Sequence, residues 1–135
     1  MSKVLITGGL GFIGSHTCVT LLKNNFKLVI LDNLSNSSLK VLKKIKKIFG
    51  EKIEEKITFQ KGDIKNYKFL ESVFLDSLKD SEPINSVIHF AGLKSVFESV
   101  SDPITYWETN VGGTLNLLKN MNNFNCKTLV FSSSA

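Results

Sequence analysis

The chain has 135 residues, 42% of them apolar and 21% charged. That is enough for one hydrophobic core, too apolar for a disordered chain, and short for an enzyme with a separate substrate region. The formal charge is +5, yet all 17 basic residues are lysine; without arginine, the usual reader of guanine edges, the charge reads as a solvated surface and no nucleic-acid partner is expected.

The opening MSKVLITGG lacks the pattern of a signal peptide, and no apolar stretch approaches the roughly 20 residues of a membrane span, so a cytoplasmic protein with no membrane partner is expected. The first strand is predicted over Lys3–Thr7 (KVLIT), followed by the glycine-rich TGGLGFIGSH and a helix over Phe12–Asn24. A second strand, Lys27–Asp32, ends on an acid. A helix then spans Ser38–Phe49, where Leu39, Leu42, Ile45, Ile48 and Phe49 recur at helical spacing and lysines fill the rest. A third strand, Lys56–Gln60, runs into KGDI and a helix over Tyr67–Lys79. The fourth strand, Ser86–Phe90, precedes a short helix at Pro103–Trp107 and a longer one at Val111–Asn122; the fifth is Thr128–Ser132. Tyr106 and Trp107 are expected to pack the short helix against the sheet.

These strands are apolar without clean alternation, as strands buried on both faces are. Strands alternating with helices of this length predict βαβ units and right-handed crossovers. The fold class is therefore α/β: a Rossmann-like, doubly wound parallel sheet of five strands in order 3-2-1-4-5, with helices on both faces. Nothing resembling a linker or repeat divides the chain, so residues 1–135 read as one domain. Cys18 and Cys126 have no Cys or His at ligand spacing; two reduced thiols and no metal site are expected.

Gly9, Gly11 and Gly14 satisfy G-x-G-x-x-G, and Gly8, Gly11 and Gly14 satisfy G-x-x-G-x-x-G, between a predicted strand and a predicted helix. Asp32 follows Gly14 by 18 positions, at the end of the second strand. Such a turn needs backbone angles that only glycine takes cheaply, and a missing side chain lets a pyrophosphate reach the amides at the helix's positive end. Asp32 can accept hydrogen bonds from the adenosine ribose and repel a 2′-phosphate, which predicts NAD rather than NADP as cofactor. Asp63, closing the third strand, lies at the same carboxyl edge; it is either a partner for the adenine amino group or a turn-forming aspartate after Gly62. Lys94 either stabilises the pyrophosphate or is an ordinary surface lysine. His16 and His89 have no carboxylate or serine at a catalytic spacing and read as orienting or packing residues.

TGGLGFIGSHT at 7–17, LDNLSNS at 31–37, GDI at 62–64, HFAGLKSV at 89–96, ESV at 98–100, NVGGT at 110–114 and FSSSA at 131–135 resemble, in order and spacing, the extended short-chain dehydrogenase/reductase family and its UDP-glucose 4-epimerase branch. The resemblance implies that Phe12 and Ile13 contact NAD, that Asp32, Asn33, Leu34, Ser35, Asn36 and Ser37 surround its ribose and phosphates, and that Asp63 and Ile64 flank the adenine. It further implies that Phe90, Ala91, Gly92, Leu93 and Lys94 follow the dinucleotide. Thr109 stands near the cofactor where the family often has asparagine, and Phe97 where it usually has glycine.

In such enzymes bound NAD⁺ takes hydride from C4 of UDP-glucose or UDP-galactose and returns it to the other face of a 4-keto sugar. Ser134 matches the family's catalytic serine. The tyrosine and the lysine four residues after it do not occur within these 135 residues. The expectations are therefore an isomerase whose chain is cut after FSSSA, no activity in these residues alone, a homodimeric parent, and self-association through an uncovered fifth strand. The alternatives are another nucleotide-sugar-modifying enzyme of the superfamily, or a naturally short, non-catalytic NAD-binding module.

Overall fold

In a computed structural model, which describes residues 2–133, the apolar runs form β1 (Lys3–Thr7), β2 (Lys27–Asp32), β3 (Ile57–Lys61), β4 (Ile84–His89) and β5 (Thr128–Phe131). All pair in parallel, in the order β3-β2-β1-β4-β5. The reason β1 and β2 lack alternation is visible in the packing. Val4, Ile6, Leu28 and Ile30 enter one apolar cluster with Cys18, Leu22, Leu42 and Ile45, while Leu5, Val29 and Leu31 enter another with Leu70, Val73, Phe74, Leu117 and Met121. Successive side chains point to opposite faces, and both faces are covered. β3 and β5, at the edges, are only partly buried.

The first cluster is closed by α1 (Phe12–Lys23) and α2 (Leu39–Phe49), and the second by α3 (Tyr67–Lys79) and α6 (Gly113–Asn123). Ser38 caps α2, its hydroxyl accepting from Lys40 N, and Asn66 caps α3 by accepting from Phe69 N. Within α2 only Leu42 and Ile45 are fully buried; Leu39 and Ile48 remain exposed at the ends of the stripe.

The structure departs from the sequence reading mainly after β4. α4 (Val96–Ser101) was not anticipated, and α5 (Pro103–Tyr106) leads into a π-helical stretch, Trp107–Gly112, before α6. Trp107 is 66% exposed rather than packed on the sheet. It lies with the exposed Val111, Leu115 and Leu118 at helical spacing, on the side of this helix turned away from the strands. Ser134, the expected catalytic serine, lies outside the described residues. Among the described residues no helix is long and apolar enough to cross a membrane.

The register places Thr7 opposite Leu31 on one side and His89 on the other, with Asp32 opposite Lys61. The loops leaving β1, β2, β3 and β4 therefore emerge at one carboxyl edge, where open α/β sheets bind ligands.

Candidate functional site

Gly8 is in the left-handed region at φ +67°, and a Cβ there would sit 2.8 Å from Ala91 N; a Cβ on Gly14 would sit 2.3 Å from Gly8 O. These two glycines let the β4 loop and α1 close on the first turn. Gly8 N donates to Leu31 O at 2.7 Å, and Gly11 N to Gly8 O at 3.1 Å. Gly11, extended at ψ 178°, offers α1 no side-chain cap, so the helix begins with its first N–H groups directed at the cleft.

Asp32 is 7% exposed. Its Oδ2 accepts from Leu10 N at 3.1 Å, and its Oδ1 from Leu34 N at 2.9 Å and Ser37 Oγ at 2.7 Å. A carboxylate has about four acceptor sites, so one remains, on Oδ2, for a ligand hydroxyl. Leu34 takes φ +61° to aim its N–H at Asp32, and its side chain packs on the apolar cluster beneath. It is the one expected cofactor contact that does not line the cleft.

At β3, Asp63 forms the turn and reaches the cleft as well. Its Oδ1 accepts from Lys65 N at 2.9 Å, which makes the turn, and the residue also lines the cleft. At β4, Asn110 reaches back from the π-helical stretch to hold both backbone groups of Leu93: its Oδ1 accepts from Leu93 N at 2.8 Å and its Nδ2 donates to Leu93 O at 2.9 Å. Gly92 allows that approach, since a Cβ on it would lie 3.1 Å from Asn110 Oδ1.

The result is an open cleft of about 500 Å³, an ordinary size for a small-molecule site. Gly8, Gly11, Phe12, Ile13, Gly14, Asp32, Asn33, Ser35, Asn36, Ser37, Asp63, Ile64, Phe90, Ala91, Gly92, Leu93, Lys94 and Thr109 all line it, and Lys94 is the one cation among the described lining residues. Phe97, 83% exposed, lies outside it. Ser95, Glu98 and Tyr106 line it without having been anticipated. A signal for two of them was present: S-V-F-E is the Ser-x-x-Glu pattern of a capping box. Here the box is opened to admit a third residue. Ser95 Oγ accepts from Glu98 N at 3.2 Å, while Ser95 N donates to Tyr106 Oη at 3.0 Å and Tyr106 Oη donates to Glu98 Oε2 at 3.1 Å.

His89 does not reach the cleft; it is 2% exposed, between Thr7 and Thr114. Thr114 Oγ1 gives its proton to Asn110 O at 2.6 Å, so it accepts from His89 Nε2 at 3.0 Å. Nδ1 is then the acceptor for the Thr7 hydroxyl, whose oxygen also accepts from Ala91 N at 3.2 Å. Burial lowers the His89 pKa to about 4, so the ring is neutral and orders these bonds rather than carrying protons. Burial also pushes the Cys18 thiol up to about 12, leaving it inert.

The donors and acceptors on this edge fit a dinucleotide: uncapped helix amides and Lys94 for phosphates, one open site on Asp32 for a ribose hydroxyl, and Asp63 beside the buried Ile64 for a base. The sequence model of the family described as GDP-mannose 4,6 dehydratase matches residues 5–135. The chain belongs to the GDP-mannose 4,6 dehydratase family. Among similar proteins, the UDP-glucose 4-epimerase of Neisseria meningitidis serogroup B is 48% identical over 135 residues, covering 100% of this chain and 37% of its own length. The crystal structure of UDP-glucose 4-epimerase from Bifidobacterium longum in complex with NAD⁺ and UDP superposes with a TM-score of 0.86 at 40% identity, over 99% of this chain and 37% of that one. The enzyme from Stenotrophomonas maltophila, with bound NAD and formylated UDP-arabinopyranose, gives a TM-score of 0.88 at 38% identity, over 100% and 38%. The chain thus spans a little over a third of these family members' length.

Proposed function

We propose that this chain is the NAD-binding part of a UDP-glucose 4-epimerase, an isomerase interconverting UDP-glucose and UDP-galactose, and that residues 1–135 act as one cofactor-binding domain. The observation that carries the reading is Asp32, buried at the end of β2 and tied to the glycine loop through Leu10 N, with a single acceptor site still open toward the cleft. The similar epimerases solved with NAD and with UDP support it.

Gly8, Gly11 and Gly14 admit the pyrophosphate to the start of α1, with Lys94 neutralising part of its charge. The segment from Asn33 to Ser37 surrounds the adenosine ribose, Asp63 and Ile64 hold the adenine, and the stretch from Phe90 to Leu93 follows the chain of the dinucleotide, with Thr109 beside it. Bound NAD would supply reversible hydride acceptance from C4 of the sugar. The hydroxyl proton must leave as well, and Ser134 is proposed to share its path with a tyrosine activated by a lysine four residues later. Neither Tyr67, followed four positions on by Glu71, nor Tyr106, followed by Asn110, has that pattern.

These 135 residues alone are therefore expected not to turn over UDP-galactose, whereas a longer protein that includes the tyrosine and lysine is expected to do so. Turnover by the 135 residues in a coupled assay for UDP-glucose, or none by a longer protein with the motif, contradicts the reading. β5 presents Val130 and Phe131 with 55% and 56% exposure at the free edge of the sheet. The 135 residues are thus proposed to self-associate, and the parent to form a homodimer.

A further inference from the structure

α6 carries asparagines at 116, 120 and 123, about one turn apart, and all three face the segment that leaves β3. Asn116 Nδ2 donates to the carbonyls of Ile64 at 3.1 Å and Lys65 at 3.0 Å. Asn120 Nδ2 reaches Tyr67 O at 3.5 Å, and Asn123 Nδ2 the Tyr67 hydroxyl at 2.9 Å. Asparagine is a poor helix residue because its amide competes for backbone groups; Asn116 spends that capacity on the backbone of another segment, whereas the shorter bond of Asn120 Nδ2 is to Asn116 O in its own helix at 3.0 Å. The arrangement is retained at some cost: Asn120 Oδ1 is buried with no hydrogen-bond partner among the described residues, a penalty an apolar residue would avoid.

The grip on the β3 turn is double. Gly113, one turn before Asn116, lies so close to Ile64 that a Cβ there would come 2.5 Å from Ile64 Cδ1. The Ile64 carbonyl that accepts from Asn116 and the Lys65 N–H that donates to Asp63 Oδ1 belong to the same peptide unit. That unit is planar and stiff, so fixing its oxygen fixes the direction of its N–H, and hydrogen bonds in line polarise one another. Asn116 therefore acts at a distance on the Asp63 carboxylate, which has only a weak 3.4 Å contact from Asn33 Nδ2 and Lys65 Nζ at 4.0 Å on its other oxygen.

We propose that Asn116, which lines no part of the cleft, is a positioning residue for the adenine end of the cofactor. Through the Ile64–Lys65 peptide it aims the Asp63 carboxylate so that Oδ2 accepts from the exocyclic amino group. The inference rests on the reading of the cleft as an NAD site and adds to it a residue that positions Asp63 for base selectivity.

The test compares NAD⁺ with nicotinamide hypoxanthine dinucleotide, which has a carbonyl in place of the adenine amino group, by titration calorimetry on the purified protein. The wild type is expected to bind the adenine form about 10-fold more tightly, the worth of one hydrogen bond to a charged acceptor. In Asn116→Ala that ratio is expected to fall to about 2-fold, with affinity for the hypoxanthine form changed by less than about 3-fold. Asn116→Ser, which keeps one donor, is expected to lie between, and it carries the test should the alanine variant not fold. An unchanged ratio, or an equal loss for both ligands, overturns the inference, because a merely structural role predicts one or the other. A wild type that binds both ligands equally removes the Asp63–adenine contact and this inference alone; a wild type that binds neither removes the cofactor reading as well.

Discussion

The β1–β2 side of the cleft and the β4–α6 side are held by different means. On the first, the geometry is imposed largely by backbone: Gly8 at φ +67° and Gly14 against Gly8 O admit no side chain, and two of the three donors to Asp32 are backbone N–H groups, leaving one acceptor site open. On the second, side chains from one helical stretch reach across the sequence, Asn110 to Leu93 over 17 positions and Asn116 to Ile64 over 52. A wall built by backbone constraint tolerates almost no change at a few positions. A wall built by amides can lose one support and keep its shape.

The largest effect is therefore expected on the glycine side. Gly14→Ala should destabilise the fold by about 3 kcal/mol and abolish dinucleotide binding, since neither Gly8 O nor α1 can withdraw without opening the turn. Chemical denaturation with a binding titration measures both, and near-native values would show the loop to be softer than its contacts imply.

Next comes the pH response of the other wall. His89 is neutral and buried with a pKa lowered to about 4, against 6.5 in an unfolded chain. The unfolded state then binds the proton more readily. The stability His89 confers is complete above pH 6.5 and is lost as pH falls toward 4, a change on the order of 3 kcal/mol. Denaturation midpoints across that window should slope in the wild type and flatten in His89→Gln; equal slopes would remove His89 as the cause.

Asp32→Asn is expected to cost about 2 kcal/mol, because an amide nitrogen would face one of the three donors now aimed at the carboxylate. It should also erase discrimination against the 2′-phosphate, and a variant that still prefers NAD⁺ would place selectivity elsewhere. The smallest effect belongs to Phe97→Ala: at 83% exposure and outside the cleft, the change should stay within about 0.5 kcal/mol and leave dinucleotide affinity unaltered.

The same contrast explains what could be read from the sequence. β1, β2 and α3 have the bounds expected of them, because apolar runs between turn residues leave few alternatives. The strand order followed from strands alternating with helices in a doubly wound sheet, and Gly8, Gly11, Gly14 and Asp32 from their spacing, since only glycine meets those backbone demands; most other residues lining the cleft were expected from the family resemblance alone. β4 instead begins at Ile84, two residues before the expected start, where its pairing with β1 shifts register beside Lys3. Trp107–Gly112 was read as the join of two ordinary helices. Nothing local marks its π winding, which brings Asn110 to Leu93 through contacts formed only when β4 and α6 pack. Leu34 was expected at the cofactor from the family resemblance of LDNLSNS; its polar neighbours line the cleft, while its positive φ accompanies a side chain packed on the core. Tyr106 was assigned to packing, yet its hydroxyl completes the cap of α4 at the cleft.

The most direct test of the account is a thermal-shift titration of these 135 residues with NAD⁺ and NADP⁺. A ligand that binds only the folded state raises stability by about 2.7 kcal/mol at a hundred times its dissociation constant. The account predicts a saturable rise in Tm with NAD⁺ and a much weaker one with NADP⁺, because the one acceptor site left on Asp32 suits a hydroxyl and repels a phosphate. No shift with NAD⁺, or an equal shift with both, would contradict it.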